Sequence, residues 1–407
     1  MGKPSSALEG IRVIDLSAMG ATPMAAELLA QWGAEVIHIE HPIRGDGGRI
    51  IQHGGSSTYL WTEVNYWWEL PNLNKKSLTA DLAQKEGRDI LYKLAATSDV
   101  FLSNLRPYEM EKFDLQYETL KKINPKIIFA NLTGYGPKGP DANAPGWDQT
   151  SFFARAGITY TLSDPDGVPF EPRPAQGDFH TSMTTACGIM VALFARERFG
   201  IGQEVYTSLF HSGVWMAMFD IQQALLTNQD PPKQKRDSVP NALVNVYKTK
   251  DARWIRLTMM QADRYWPAFC QAIEREELEK DPRFDSLEHR KENSVALIKI
   301  IDEAFAKRTA AEWYTRLAEG AQSFSLHQKP TEVINDPQAR ANDFFTPVDH
   351  PIYGPIELVL GPITFSETPG KWQSPGPELG QHTEEILLEL GYTWEDIAQL
   401  KDKQVIA

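Results

Sequence analysis

Apolar positions recur along the chain with two different periods, and their alternation predicts the fold class. IRVIDLS at 11–17 is a short β-rich run, TPMAAELLAQWG has helical spacing and stops at Gly33, and AEVIHIE at 34–40 is a second strand. Strand, helix and strand make a βαβ unit, whose natural product is a parallel sheet. Residues 86–105 repeat helix then strand, and PKIIFANLTGYG at 125–136 adds another strand. The opening 140 residues therefore predict a doubly wound α/β sheet. A helix is predicted from about 183 to 199, toward Gly200 and Gly202, followed by a strand at 204–210 and a mostly apolar helix over about 212–226.

Past this point the pattern changes. TNQDPPKQKRDSVPN at 227–241 has the composition of a linker. A hairpin around Lys250, Asp251 and Ala252 then joins NVYKTK to RWIRLTM. Thr309 and Glu312 form a capping-box signature, and Gly320 supplies the stop for that helix. Short strands at 344–365 and two closing helices near 382–390 and 394–402 complete the chain. The expected plan is a large α/β domain over 1–226, completed by 370–407. A linker spans 227–241, a small α+β domain 242–335, and a return linker with short strands 336–369.

Composition narrows the function. The 407 residues are 42% hydrophobic and 23% charged, as in ordinary globular proteins. A net charge of -13 argues against a nucleic-acid partner or an anionic membrane surface, since both need a basic face. An anionic small ligand still requires only a local basic pocket. The N-terminus lacks the apolar run of a signal peptide, and the Met1-Gly2 and Ser6 match to a myristoylation pattern reads as chance. Arg196 and Asp220 interrupt the most apolar segments before they could span a bilayer. Cys187 and Cys270 lie in apolar helical patterns and read as buried thiols, which suits a reducing cytoplasm.

The first βα turn reads SAMGATP, with Gly20 alone in place of G-x-G-x-x-G, which argues against a nicotinamide dehydrogenase even though Glu40 ends the second strand. Such a turn still accepts phosphate or carboxylate through free N–H groups. Lys75, Lys76, Arg106 and Lys112 follow places where strands or loops should end, and together they suggest a phosphate-bearing ligand. No metal-ligand spacing, G-x-S-x-G elbow or Walker loop occurs, so a carboxylate nucleophile is the route left open. In RPAQGDFHTSMTTACG, Asp178 stands behind Gly177 and ahead of an apolar helical run, and spacing alone makes it a helix N-cap. The aromatic stretch WTEVNYWWEL at 61–70 suits an acyl pocket or a core, and the core reading is favoured.

LEGIRVIDLS, GAEVIHIEHPIRGD, NKKSLTADL, SDVFLSNLRP, GYGPKGP, PGWDQTSFFARAG, the GDFHTSM segment and GQHTEEILLELGY carry a resemblance. Together they resemble the family III coenzyme A transferases, the group that includes formyl-CoA and carnitine CoA transferases, from Leu8 to about Tyr392. The resemblance implies a Rossmann-like large domain, a smaller α+β domain and an interlocked homodimer, with a heteromer of related subunits as the variant. It implies coenzyme A and acyl-CoA as substrates, with no permanently bound cofactor. Asp178, the acid of the G-D motif, would be the nucleophile. By matched position Met19, Gly20, Ala21, His41, Asn104, Leu105, Lys112 and Leu209 would line the CoA site, where His41 replaces a common arginine and Ala83 a lysine found in some members. Arg106, Trp147, Asp148 and Gly177 join them as substrate-binding candidates, Gly177 by leaving room for the thioester.

A carboxylate at a helix N-terminus has its anion stabilised, which predicts an ionised Asp178 at pH 7. Two alternatives share the fold: an α-methylacyl-CoA racemase, and a non-catalytic subunit. The racemases pair the aspartate with a histidine, but Trp147 stands at that position here, and the intact G-D motif argues against an inactive subunit. MMQADRYW at 259–266 lacks the glycine-rich loop associated with small oxalyl or formyl groups, which points to a bulky or aromatic carboxylic acid.

Overall fold

The computed structural model describes residues 6–51, 62–165, 167–320 and 322–407; Met1, Gly2 and Trp61 fall outside them. Six strands, β1 (Arg12–Leu16), β2 (Glu35–Glu40), β3 (Lys75–Thr79), β4 (Val100–Ser103), β5 (Ile128–Thr133) and β6 (Gln203–Ser208), form one parallel sheet in the order β3-β2-β1-β4-β5-β6. The register is set by pairs such as Ile14 with Ile37 and Ile14 with Phe101. The central strands β1, β4 and β5 are mostly apolar because both faces are covered. On one face Val13, Val36 and Leu102 pack with Ala25, Leu29, Ala186 and Ile189 from the helices Ala21–Gln31 and Gln176–Phe199. On the other, Ile14, Ile37 and Phe101 pack with Leu91, Leu120, Leu387 and Leu400, so the closing helices Thr383–Glu389 and Trp394–Asp402 belong to this core. The strand order reverses between β1 and β4, and the crevice beyond their C-terminal ends is where such sheets take ligands.

The chain divides into two compact units, 1–160 with 171–230 and 343–407, and 161–170 with 231–342. The strands β10 (Thr346–His350) and β11 (Gly354–Leu358), which lie in the expected return linker, pair antiparallel and belong to the first unit. In the second unit β7 (Val246–Lys248), β8 (Trp254–Leu257) and β9 (Phe324–Leu326) form an antiparallel sheet around a core that includes Tyr247, Phe305 and Trp313. Thr309 caps the helix Ala310–Glu319 in the reciprocal arrangement its spacing predicts.

Three expectations are corrected. NLNKKS is not a loop end: Lys75 opens β3 and is fully buried, with its ammonium on Asp15 at 2.7 Å, while Lys76 pairs with Glu35 and Glu385. Neither is free to meet a phosphate. The central helix starts at Gln176 rather than near 183, and Cys187 on it is exposed, whereas Cys270 is buried. Among the described residues no helix is long and apolar enough to cross a membrane.

Candidate active site

β1 delivers the chain into the turn Ser17–Gly20, and Gly20 is the N-cap of the helix Ala21–Gln31. Gly20 has no side chain to cap that helix, and among the described residues its opening N–H groups have no side-chain acceptor. Met19 sits at φ +75°, a conformation unusual for a side-chain-bearing residue, and donates its N–H to Asp46 at 3.1 Å. Asn104, at the end of β4, clamps the same turn, donating to the Ala18 carbonyl at 2.8 Å and accepting its N–H at 3.3 Å.

Asp178 arrives from the central helix. That helix begins after Ala175, which adopts the left-handed conformation, and no side chain caps it. Asp178 is therefore the third residue of the helix and not its cap. Its carboxylate lies against the first turn instead: a Cβ on Gly20 would stand 2.4 Å from Asp178 Oδ2. Only glycine fits there. Among the described residues the Asp178 carboxylate makes no hydrogen bond or ion pair. Burial, and then the negative charge of Asp148, push it up to about 7, so the expected fully ionised helix-terminal anion is corrected to a carboxyl divided between its two forms near neutrality. An acid held without donors is a stronger nucleophile once ionised, because nothing has to be stripped from it.

Asp148 and Gly177, both substrate-binding candidates from the sequence, make structural contacts with each other's elements. Asp148 opens a π-helical turn, Asp148–Ala154, is buried, and accepts the N–H groups of Gln149 at 2.8 Å and Gly177 at 3.3 Å. A Cβ on Gly177 would fall 2.8 Å from Phe152 Cγ and 2.9 Å from Asp148 Cβ, so this glycine permits close packing of the helix on the π-turn. Neither residue lines the cleft.

Two clefts open at the crevice. The first is lined by Met19, Gly20, Ala21, Arg106, Trp147, Asp178 and Leu209, together with Thr22, Leu132–Gly134 and Ala144–Gly146. The second is lined by His41, Leu105 and Lys112, with Arg44, Asp46, Ala83 and others. They share Ala18 and Asn104 in their linings. His41 Nδ1 accepts the N–H groups of Ile43 at 3.1 Å and Arg44 at 3.3 Å. Arg106 is engaged with Glu109 and the Tyr108 hydroxyl, which lowers its value as a free cation. Tyr66, Trp67 and Trp68 line neither cleft, and Trp68 is buried beneath the Arg49 guanidinium, 3.6 Å from the ring centroid. Sequence reasoning missed Arg44, which follows β2, and Leu132 and Thr133, whose signal was their place at the C-terminal end of β5.

The arrangement places an unpartnered carboxylate at the crevice of a parallel sheet, with cations one cleft away, and belongs to the enzymes that transfer acyl or thioester groups. The chain is a member of CoA-transferase family III, whose description matches residues 8–383, and it is a CoA-transferase. It is 35% identical to the (R)-2-hydroxy-4-methylpentanoate CoA-transferase of Clostridioides difficile, over 98% of this chain and 99% of that one. It is 34% identical to the cinnamoyl-CoA:phenyllactate CoA-transferase of Clostridium sporogenes, over 100% and 99%. A crystal structure of a CAIB/BAIF family protein from Brucella suis superimposes with a TM-score of 0.81 at 27% identity, covering 95% of this chain and all of that one.

Proposed function

We propose that Asp178 carries the transfer as a covalent nucleophile, moving coenzyme A from an acyl-CoA to the carboxylate of an apolar 2-hydroxy acid. The observation that carries this reading is the Asp178 carboxylate seated against Gly20 with no hydrogen-bond or ion-pair partner among the described residues. One carboxylate oxygen attacks the donor carbonyl, the C–S bond breaks, and the CoA thiolate leaves a mixed anhydride. The thiolate then attacks the Asp178 acyl carbon and expels the donor acid, giving an aspartyl-CoA thioester. The acceptor carboxylate attacks that thioester, the thiolate returns to the acceptor carbonyl of the new anhydride, and Asp178 is regenerated. The N–H groups that open the helix Ala21–Gln31 would serve as donors to the carbonyl oxygen as charge develops on it. His41, Arg44 and Lys112 would meet the CoA phosphates.

The acceptor class follows from two supports. Both relatives above are named for 2-hydroxy acids with apolar side chains, and Leu132, Trp147 and Leu209 give the first cleft apolar walls. This agrees with the bulky or aromatic carboxylate read from the sequence. Asp148 is buried and does not line the first cleft, and Trp147 is no base, which disfavours racemisation. The working form is a dimer of two interlocked copies. Its support is the helix Met218–Thr227, which buries none of its residues in the single chain and leaves Phe219, Leu225 and Leu226 exposed.

Hydroxylamine added during turnover with a donor thioester should convert Asp178 to a hydroxamate, read as a mass shift on the peptide containing GDFHTSM. Asp178→Asn should lose transfer by several orders of magnitude. Labelling of a different acidic peptide, or near-normal activity of Asp178→Asn, would overturn the mechanism.

A further inference from the structure

The seat of the nucleophile is held by charged groups that stay out of the first cleft. Asp15 on β1, His38 on β2 and Lys75 on β3 are completely buried, and all three line neither cleft. Asp15 Oδ2 takes the Lys75 ammonium at 2.7 Å and His38 Nδ1 at 2.9 Å. Beyond the imidazole, His38 Nε2 faces Asp46 Oδ2 at 3.4 Å. Asp46 in turn accepts the N–H of Met19. At the other end the Lys75 ammonium donates to the Pro23 carbonyl at 2.8 Å and to Asn72 at 3.0 Å. One continuous ionic chain, Asp46–His38–Asp15–Lys75, therefore grips the segment Met19–Pro23 at both of its ends. Gly20, against Asp178, and the opening N–H groups of the helix lie between the two grips.

We infer that His38 and Asp46 are positioning residues for the transfer reaction, setting the backbone of Met19–Thr22 that seats Asp178 and faces the thioester carbonyl. The inference rests on Asp178 being the nucleophile. Three features give it force. Two carboxylates alternate with two cations, so the chain is neutral only while His38 carries its proton. Burial alone would lower the His38 imidazole, but Asp15 outweighs it and pushes it up to about 9, which keeps the proton in place at neutrality. Finally, Met19 holds a left-handed backbone that leucine-like side chains rarely adopt, and the Asp46 carboxylate is the acceptor of its N–H. Removing the cation between Asp15 and Asp46 sets two buried anions against each other. The Asp46 carboxylate, which also accepts the Gly48 N–H at 2.7 Å, is then expected to loosen its hold on the Met19 N–H.

The test uses the full-length enzyme, with steady-state kinetics and single-turnover trapping of Asp178 by hydroxylamine. His38→Gln and Asp46→Ala are expected to lower kcat and the trapping rate by about 30-fold or more, with the KM for the CoA ester changing less than about threefold. Asp46→Asn, which keeps an amide oxygen for the Met19 N–H, should retain several-fold more activity than Asp46→Ala, a rescue that a general loss of stability would not produce. Folded His38→Gln and Asp46→Ala enzymes that lose thermal stability but trap Asp178 at the wild-type rate would overturn the inference, as would equal activity of the two Asp46 variants. Failure to label Asp178 in the wild-type enzyme would instead remove the nucleophile reading on which it rests.

Discussion

A methyl group on Gly20 would stand 2.4 Å from Asp178 Oδ2, so one atom decides whether the acid keeps its place. Gly20→Ala is expected to fold and to lose about 100-fold in kcat, because displacement of a reacting group by an ångström costs on that order. Kinetics within threefold of wild type would show that the carboxylate need not sit there. The ionisation of Asp178 supplies a second prediction. With its carboxyl pushed up to about 7, kcat/KM for the donor thioester should fall as pH drops through about 7, following one proton. The stability sign runs with the raised pKa. The folded state favours the protonated acid, so the stability this acid contributes is full below the ordinary carboxylate range and is lost as pH rises to about 7. Asp178→Asn should therefore raise Tm at pH 8 and do so much less at pH 4; an equal gain at both values would contradict the raised pKa. From sequence, Asp178 could be singled out but its surroundings could not. Nothing in GDFHTSM says that Ala175, three residues before the acid that spacing suggests as the cap, turns left-handed to start the helix.

At the scale of elements, β3 shows why some strands hide. KKSLT opens with two lysines and reads as a charged loop, yet both charges are met by partners remote in sequence: Asp15 for Lys75, and Glu35 and Glu385 for Lys76. β1, β2, β4 and β5 are legible because apolar residues dominate each of them, even where β1 and β2 also carry Asp15 and His38. The same Lys75–Asp15 tie links the outer strand β3 to β1 across β2. Lys75→Met should cost about 3–5 kcal/mol, the usual penalty for leaving one member of a buried pair uncompensated. Combined with Asp15→Asn it should cost clearly less than the sum of the two single changes, measured as urea-unfolding midpoints. Strict additivity would mean that the pair carries no coupling. In the small unit the capping box was fully legible, since Thr309 and Glu312 are only three residues apart; Thr309→Ala should cost about 1 kcal/mol.

Across the whole molecule the sequence pattern and the single chain disagree at one kind of place. The central helix carries apolar residues around much of its circumference, and the pattern there was read as burial. Val191, Phe194 and Phe199 are instead exposed, as is Cys187, and the helix Met218–Thr227 buries nothing. Periodicity reports that a surface is apolar, and it does not report which chain covers it. If a second copy covers the helix, Phe219→Asp with Leu226→Asp should yield monomers in sedimentation equilibrium at micromolar concentration, and an unchanged assembly would place the contact elsewhere. The ionic chain behind the turn bears on how such an enzyme changes over evolution. Asp15, His38 and Lys75 hold the Met19–Pro23 turn without lining the cleft walls that would sort one acid from another, Leu132, Trp147 and Leu209. Recognition can then drift by replacing wall residues while the chemistry stays fixed, so a library confined to those three positions should yield enzymes with altered acid preference and little loss of fold.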